Sequence, residues 1–187
     1  MTTTVSVAEN QPKFVTGVDI RVDKSTNTYD ITIDVGEFIR GMHQNDLFYV
    51  WLLKRGSDER VNFTFTRQTG FYSCSEGFLT FLNALRLCQA TTVARVDHMH
   101  EGVCAWAVLT CDQLATSDFG LLQLSPITSP DGRTDTLTAQ LKASADYIFF
   151  LYERAVERGW MTQDEVTALA TGSVVFITPD TLKERTK

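Results

Sequence analysis

The segment GVCAWAVLTC, residues 102–111, constrains the fold more than any other part of the sequence, because it contains no charged side chain. It predicts a short helix that is apolar on every side, and such a helix is normally buried or packed between subunits. The run is far shorter than the roughly 18 apolar residues that a membrane-spanning helix needs. We therefore expect a soluble protein with a helix inside its core.

Composition narrows the class of protein and its partners. The 187 residues are 43% hydrophobic and 21% charged, which is typical of one globular domain. The net charge of -6 and the absence of a Lys/Arg cluster argue against nucleic-acid binding. The spacing of the four cysteines matches no zinc motif, and no signal peptide is apparent, so we interpret the cysteines as reduced, mostly buried thiols of a cytoplasmic protein. They are Cys74, Cys88, Cys104 and Cys111.

The first half of the chain alternates strand and helix patterns. Residues 1–17 are polar and Thr-rich and predict a flexible arm, with a single domain over 18–187. Apolar alternation in 18–22 and 29–35, around a turn-prone segment, predicts a hairpin. The later elements are a helix capped by Asn45 and ending before Gly56, a strand over 61–65, a helix that begins after Ser75, and a strand over 92–97.

The second half continues this alternation. The elements predicted are the buried helix, a strand over 121–124, a helix from Thr136 to Arg158, a short helix with Thr162 as N-cap and Glu165 at the capping-box position, the strand SVVFI and the helix PDTLKER. Helices between strands favour right-handed crossovers and a mostly parallel sheet, which predicts an α/β fold. The sequence contains no GxGxxG, P-loop, HExxH or GxSxG motif.

The order of these elements and several local phrases resemble a known superfold. DITIDVGEF, VNFTFTRQTGFYS, EGFLTFLNALRLC, EGVCAWAVLTCD and LLQLSP, in this order, look like the ClpP/crotonase superfold. Within it, the chain resembles Clp protease proteolytic subunits and signal-peptide-peptidase-like proteases, of the divergent type that bacteriophages encode. The resemblance implies repeated ββα units, a mostly parallel sheet, a long helix near the C-terminus, and a homo-oligomer that forms a single or stacked ring.

The peptidases of this family need a serine, a histidine, an aspartate and an oxyanion hole. By the resemblance, the nucleophile falls near Glu101 or Gly102, the general base at Ser125 and the aspartate near Ala170, and none of these residues can do the corresponding chemistry. Gly70 and Phe71 would supply the oxyanion-hole amides, although Thr69 replaces the first glycine of the family's turn.

The sequence therefore predicts a catalytically degenerate protein that acts as a ring-forming scaffold or interaction subunit. A homologous active subunit or a phage structural protein would be its partner, in the host cytoplasm or in the virion, and we expect no cofactor, no metal, no nucleic acid and no membrane. The alternative is an endopeptidase with a relocated centre, Cys104 with His98 or His100, that processes structural proteins. An acyl-CoA enzyme of the crotonase type is a third interpretation, without a CoA-binding signature in the sequence.

Two further sets of residues leave alternatives open. His98 and His100 are two positions apart, so on a strand they would share one face and could bind a metal or activate Cys104, but no third ligand is evident. The other interpretation is that both are ordinary polar residues at a strand end. An aromatic group on and after the long helix belongs either to the core or to a subunit interface; it comprises Phe149, Phe150, Tyr152 and Trp160.

Overall fold

The computed structural model describes residues 16–41, 45–66, 76–126 and 139–186, and the side chains of 76, 77 and 139–145 are outside this description. The strands are β1 (Val18–Asp23), β2 (Thr28–Ile33), β3 (Arg60–Phe65), β4 (Thr91–Val96), β5 (Met99–Glu101), β6 (Gln113–Thr116), β7 (Leu121–Leu124) and β8 (Val175–Ile177). The helices are α1 (Val35–Arg40), α2 (Asp46–Leu53), α3 (Glu76–Leu87), α4 (Val103–Thr110), α5 (Ala139–Glu157), α6 (Gln163–Ala170) and α7 (Pro179–Arg185).

The larger sheet has five strands in the order β1-β2-β3-β4-β6. The predicted hairpin is confirmed: β1 and β2 are antiparallel, with Val18 opposite Ile33. The other three pairs are parallel and are joined through helical segments, as the strand and helix alternation predicts. The α/β class and the mostly parallel sheet are therefore confirmed.

A smaller sheet has three strands in the order β5-β7-β8, all of which follow β4 in the chain. Strands β5 and β7 are parallel, with Glu101 opposite Gln123, and β8 pairs antiparallel to β7, with Val175 opposite Leu124. Strands β5 and β6 were not predicted from the sequence, because they are too short to show an alternating pattern.

Helix α1 corrects the sequence prediction that the second strand runs to Val35. The carboxylate of Asp34 accepts a hydrogen bond from the amide of Glu37, which caps a helix beginning at Val35. The sequence does not reveal this cap, because the alternation of apolar residues continues through 29–35. Val35 fits this strand pattern as well as it fits the first turn of a helix. The strand therefore ends at Ile33 and the chain turns back over the sheet.

The core is centred on α4, all of whose residues are buried, as predicted for a helix that is apolar on every side. The predicted capping box of α6 is also confirmed, since Thr162 and Glu165 exchange both side-chain to backbone hydrogen bonds. Helix α5 is the long helix near the C-terminus; its predicted first residues, 136–138, lie outside the described part of the chain. Within the part of the chain that is described, no helix is both long and apolar enough to cross a membrane.

Candidate functional site

The structure brings Gly102 and Ser125 to one edge of the smaller sheet. Because β5 and β7 are parallel and Glu101 lies opposite Gln123, the residues that follow each strand emerge at the same edge. Gly102 is the N-cap residue of α4, and Ser125 follows β7. This edge is where the sequence resemblance placed a nucleophile and a general base.

Gly102 shapes the entrance to α4 through its backbone. Its φ of 54° and ψ of -127° lie in a region that glycine reaches freely and other residues avoid. The sharp turn lets the chain leave β5 and enter the buried helix at once. The carbonyl of Gly102 accepts a hydrogen bond from the amide of Trp106, but Gly102 has no side chain to cap the first-turn amides.

Few side chains at this edge can act as a nucleophile, an acid or a base. Val103, the first residue of α4, is apolar and 1% exposed. Ser125 is half-buried, and its hydroxyl cannot act as a base near neutral pH. Glu101 is 7% exposed and is the acidic side chain at the end of β5.

Cys104, the alternative nucleophile, is the second residue of α4 and has 2% of its surface exposed. Burial, and secondly the negative charge of Glu101, raise the pKa of its thiol to about 12. A catalytic cysteine needs the opposite shift, because the thiolate is the nucleophile. Cys104 is therefore a protonated core thiol at neutral pH, like its neighbour Cys111, whose pKa burial also raises.

The remaining positions named by the resemblance fall in two groups. Ala170 is the exposed last residue of α6, and the segment from Ala168 to Val174 that leads to β8 contains no acid. Gly70 and Phe71 lie outside the described residues, as do residues 1–15 of the predicted arm.

His98 and His100 meet at the turn between β4 and β5, together with Asp97. The two imidazole rings have centroids 4.2 Å apart, although only His100 is within the strand. The Nδ1 atom of His98 donates to Oδ1 of Asp97 at 2.6 Å, and Nε2 of His100 lies 4.0 Å from the same oxygen. Asp97 was missed in the sequence analysis as a third member of this group; the signal was its position directly before His98.

A cavity of about 380 Å³ lies apart from both groups, between α3, α4 and α5. Two of its arginines are already engaged: Arg158 donates to the carbonyl of Cys111 and pairs with Asp112, and Arg154 pairs with Glu157. Its lining residues are Arg86, Leu109, Thr110, Asp112, Phe150, Leu151, Arg154 and Arg158. Since none of them belongs to the β5/β7 edge, the cavity is no part of the site described above.

Comparison with known proteins identifies the fold. No protein-family model and no curated protein matches the sequence. Among solved structures, an enoyl-CoA hydratase from Bacillus anthracis superposes with a TM-score of 0.57 at 10% identity, over 91% of this chain and 67% of that one. A probable enoyl-CoA hydratase/isomerase from Mycobacterium abscessus gives 0.58 at 15% identity, over 91% and 67%.

An enoyl-CoA hydratase from Mycobacterium marinum is similar as well, with a TM-score of 0.55 and 12% identity, over 91% of this chain and 81% of that one. Likeness at such low identity establishes the fold and not the activity. The chain thus has the crotonase fold, as the order of its elements predicted.

Proposed function

We propose that this chain is a catalytically degenerate, ClpP-like member of the crotonase superfold that acts as a homo-oligomeric, ring-forming scaffold. The observation that supports this most directly is the β5/β7 edge. There, α4 begins with Gly102 and Val103, and β7 is followed by Ser125. Acyl transfer by a serine or cysteine needs a nucleophile paired with a base, and loss of either removes most of the rate.

A first apolar surface supports self-association. We call it the α2 patch: three apolar side chains of α2, spaced three residues apart, and one at the end of α3 are each close to half exposed, and they are Leu47, Val50, Leu53 and Leu87. The thiol of Cys88 donates to the carbonyl of Leu52, so the C-terminal ends of α2 and α3 lie side by side. Exposed apolar side chains grouped in this way are typical of interaction surfaces.

A second apolar surface lies on the smaller sheet. Val174 and Phe176 are 46% and 56% exposed, while the alternating residues Val175 and Ile177 are buried. Among the described strands, the order β5-β7-β8 places β8 at an edge of the sheet, where unpaired backbone groups favour association with another chain. We call Val174 and Phe176 the β8 patch.

Two different patches fit a head-to-tail interface, in which the α2 patch of one subunit contacts the β8 patch of the next. Heterologous contacts form a ring when the rotation between neighbouring subunits closes and an open filament when it does not, whereas a two-fold dimer needs only one self-complementary patch. In this proposal the ring presents a surface to a homologous active subunit or to a phage structural protein, within the host cytoplasm or the virion.

Native mass spectrometry and sedimentation velocity test the assembly. The unmodified chain is expected to form one closed oligomer, and Val50→Lys and Phe176→Lys are each expected to give monomers. Ser57→Lys adds the same charge in the exposed turn after α2 and should leave the oligomer intact. When the two variants are mixed in equimolar amounts, they are expected to form a heterodimer. Val50→Lys keeps the β8 patch and Phe176→Lys keeps the α2 patch, so one intact interface can form between them.

A monomeric unmodified chain, or two variants that remain monomeric when mixed, would contradict the ring. The inactive site is tested separately on the native assembly, by intact mass after exposure to a fluorophosphonate and by casein cleavage. We expect neither an adduct nor cleavage. Cleavage accompanied by a serine adduct would show that an active centre exists.

The solved neighbours favour a second candidate, an acyl-CoA hydratase or isomerase, because those named above are enoyl-CoA hydratases or hydratase/isomerases. In this chain Glu101, buried beside the start of α4, would be the acid or base. The test is hydration of an enoyl-CoA thioester followed by absorbance, with Glu101→Gln as the comparison. Turnover that Glu101→Gln abolishes would replace the scaffold proposal, and its absence would support it.

A further inference from the structure

The turn between β4 and β5 places three potential metal ligands together. Asp97, His98 and His100 each offer one ligand atom, and these atoms all lie within 4.8 Å of one another. The carboxylate of Asp97 contacts both histidines, at 2.6 Å and 4.0 Å. The group precedes Gly102 in the chain, with His100 two residues before it, and has no part in the function proposed above.

The buried ring nitrogens of His98 and His100 are an independent indication that this group binds a ligand. His100 is 1% exposed, and within the described part of the chain neither of its ring nitrogens makes a hydrogen bond of good geometry, although the backbone at Arg95 approaches the ring. The Nε2 atom of His98 is also buried without a partner among those residues. Buried polar atoms are satisfied in most proteins, because an unpaired one has lost its hydrogen bonds to water.

We propose that Asp97, His98 and His100 form a binding site for one divalent transition-metal ion of the zinc type. Two imidazoles and one carboxylate are a ligand set that zinc and its neighbours in the first transition row prefer, whereas magnesium and calcium prefer oxygen alone. Three protein ligands leave a fourth position for water or for a group of another molecule.

The present spacing is close to that of a tetrahedral site. With metal–ligand bonds of about 2.1 Å, tetrahedral ligand atoms lie about 3.4 Å apart. Oδ1 of Asp97 lies 2.6 Å from Nδ1 of His98 and 4.0 Å from Nε2 of His100, and all three ligand atoms lie within 4.8 Å of one another. Side-chain rotations that move atoms by on the order of 1 Å would bring these separations to the tetrahedral value, with Nδ1 of His98 releasing its proton to the solvent. Asp97 is about half exposed, so its carboxylate has room to adjust.

The site also has a structural consequence. Asp97 follows β4 of the larger sheet, and His100 belongs to β5 of the smaller one. A metal held by both would join the two sheets at their junction. Since such an ion binds the folded state in preference to the unfolded chain, it should raise the unfolding temperature.

The test uses the untagged full chain after dialysis against a chelator. Titration with Zn²⁺ by calorimetry is expected to give one ion per chain and a higher unfolding temperature, and Co²⁺ should give the visible absorption of a tetrahedral site without a thiolate band. Asp97→Asn and His98→Asn, which change partly exposed side chains, should each weaken Zn²⁺ binding at least about tenfold.

His43→Asn is the matched control, because it removes the remaining histidine of the sequence. It should bind Zn²⁺ as the unmodified chain does. The proposal would be overturned by the absence of saturable Zn²⁺ binding, by a thiolate band with Co²⁺, or by binding that Asp97→Asn and His98→Asn leave unchanged. None of these outcomes depends on whether the chain forms a ring.

Discussion

The indole Nε1 of Trp106 donates a hydrogen bond to the hydroxyl oxygen of Tyr152 at 2.9 Å, and both side chains are buried. Trp106 belongs to α4 and Tyr152 to α5, so this bond ties the central helix to the long one. Tyr152 is one of the aromatic residues for which the sequence left core and interface open. Its burial and this bond place it in the core.

Tyr152→Phe should reduce the free energy of unfolding by about 1–3 kcal/mol, because it leaves the buried indole N–H without its acceptor. Chemical denaturation followed by fluorescence or circular dichroism measures the change. Tyr49→Phe is a matched control: the hydroxyl of Tyr49 is buried without a partner among the described residues, so its removal should be neutral or stabilising. Equal losses for both variants would contradict a specific role of the Trp106–Tyr152 bond.

Cys104 should resist alkylation in the native state. Because burial and the charge of Glu101 raise its pKa to about 12, the thiolate fraction stays very small at pH 7 to 9. Iodoacetamide labelling followed by peptide mass spectrometry should show modification of Cys104 in urea but little without it. Rapid native labelling with a half-maximum below pH 8 would instead support the relocated endopeptidase centre with His98 or His100.

Much of the fold could be predicted from the sequence, because it rests on patterns that span several turns or strands. The uninterrupted apolar run at 102–111 predicted a buried helix, and Thr162 with Glu165 predicted a capping box; both are found. Helix α1 was missed, since its cap at Asp34 directly follows a strand and Val35 fits both patterns. Strands β5 and β6 are too short to give any period.

The candidate site was predictable only in part. Element order placed Gly102 and Ser125 at the ends of two elements, and the parallel pairing of β5 with β7 brings these ends together. Only part of the histidine group was recognised from the sequence. Because side chains two residues apart share one face of a strand, His98 was paired with His100, and Asp97 was not identified as a third ligand. The turn after β4 breaks that period and folds the carboxylate back onto both rings.

Glu165 should make the stability of the C-terminal segment dependent on pH. Burial raises the pKa of its carboxyl, but hydrogen bonds from Arg185 and from the amide of Thr162 outweigh burial, and the pKa is lowered from its ordinary 4.5. A lowered pKa in the folded state means that the ionised form stabilises the fold above about pH 4.5, and that this contribution is lost as the pH falls.

Glu165→Gln should therefore reduce the free energy of unfolding by about 1–2 kcal/mol at pH 7, since hydrogen bonds to a charged group are lost, and by much less at pH 3. Denaturation curves at the two pH values measure the difference. Thr162→Ala removes the neutral half of the same capping box and should cost about 1 kcal/mol at both values. A loss for Glu165→Gln that does not change with pH would show that its charge contributes nothing.

Gly102→Ala should destabilise the protein more than the same change at another glycine with positive φ. At Gly102, φ is 54° and ψ is -127°, a combination for which a side chain costs about 1–3 kcal/mol. Gly159 is the matched control: its φ is 74°, and a Cβ there would meet nothing within 4 Å, so Gly159→Ala should cost about 1 kcal/mol. Thermal and chemical denaturation compare the two variants.

The extra loss at Gly102 follows from its place between β5 and the fully buried α4. If Gly102→Ala were no more costly than Gly159→Ala, the turn would be able to relax. The edge shared with Ser125 would then be adjustable rather than fixed, and a side chain with catalytic chemistry could be accommodated there. A larger loss means that the backbone at this position disfavours such a side chain, as the proposed degenerate site requires.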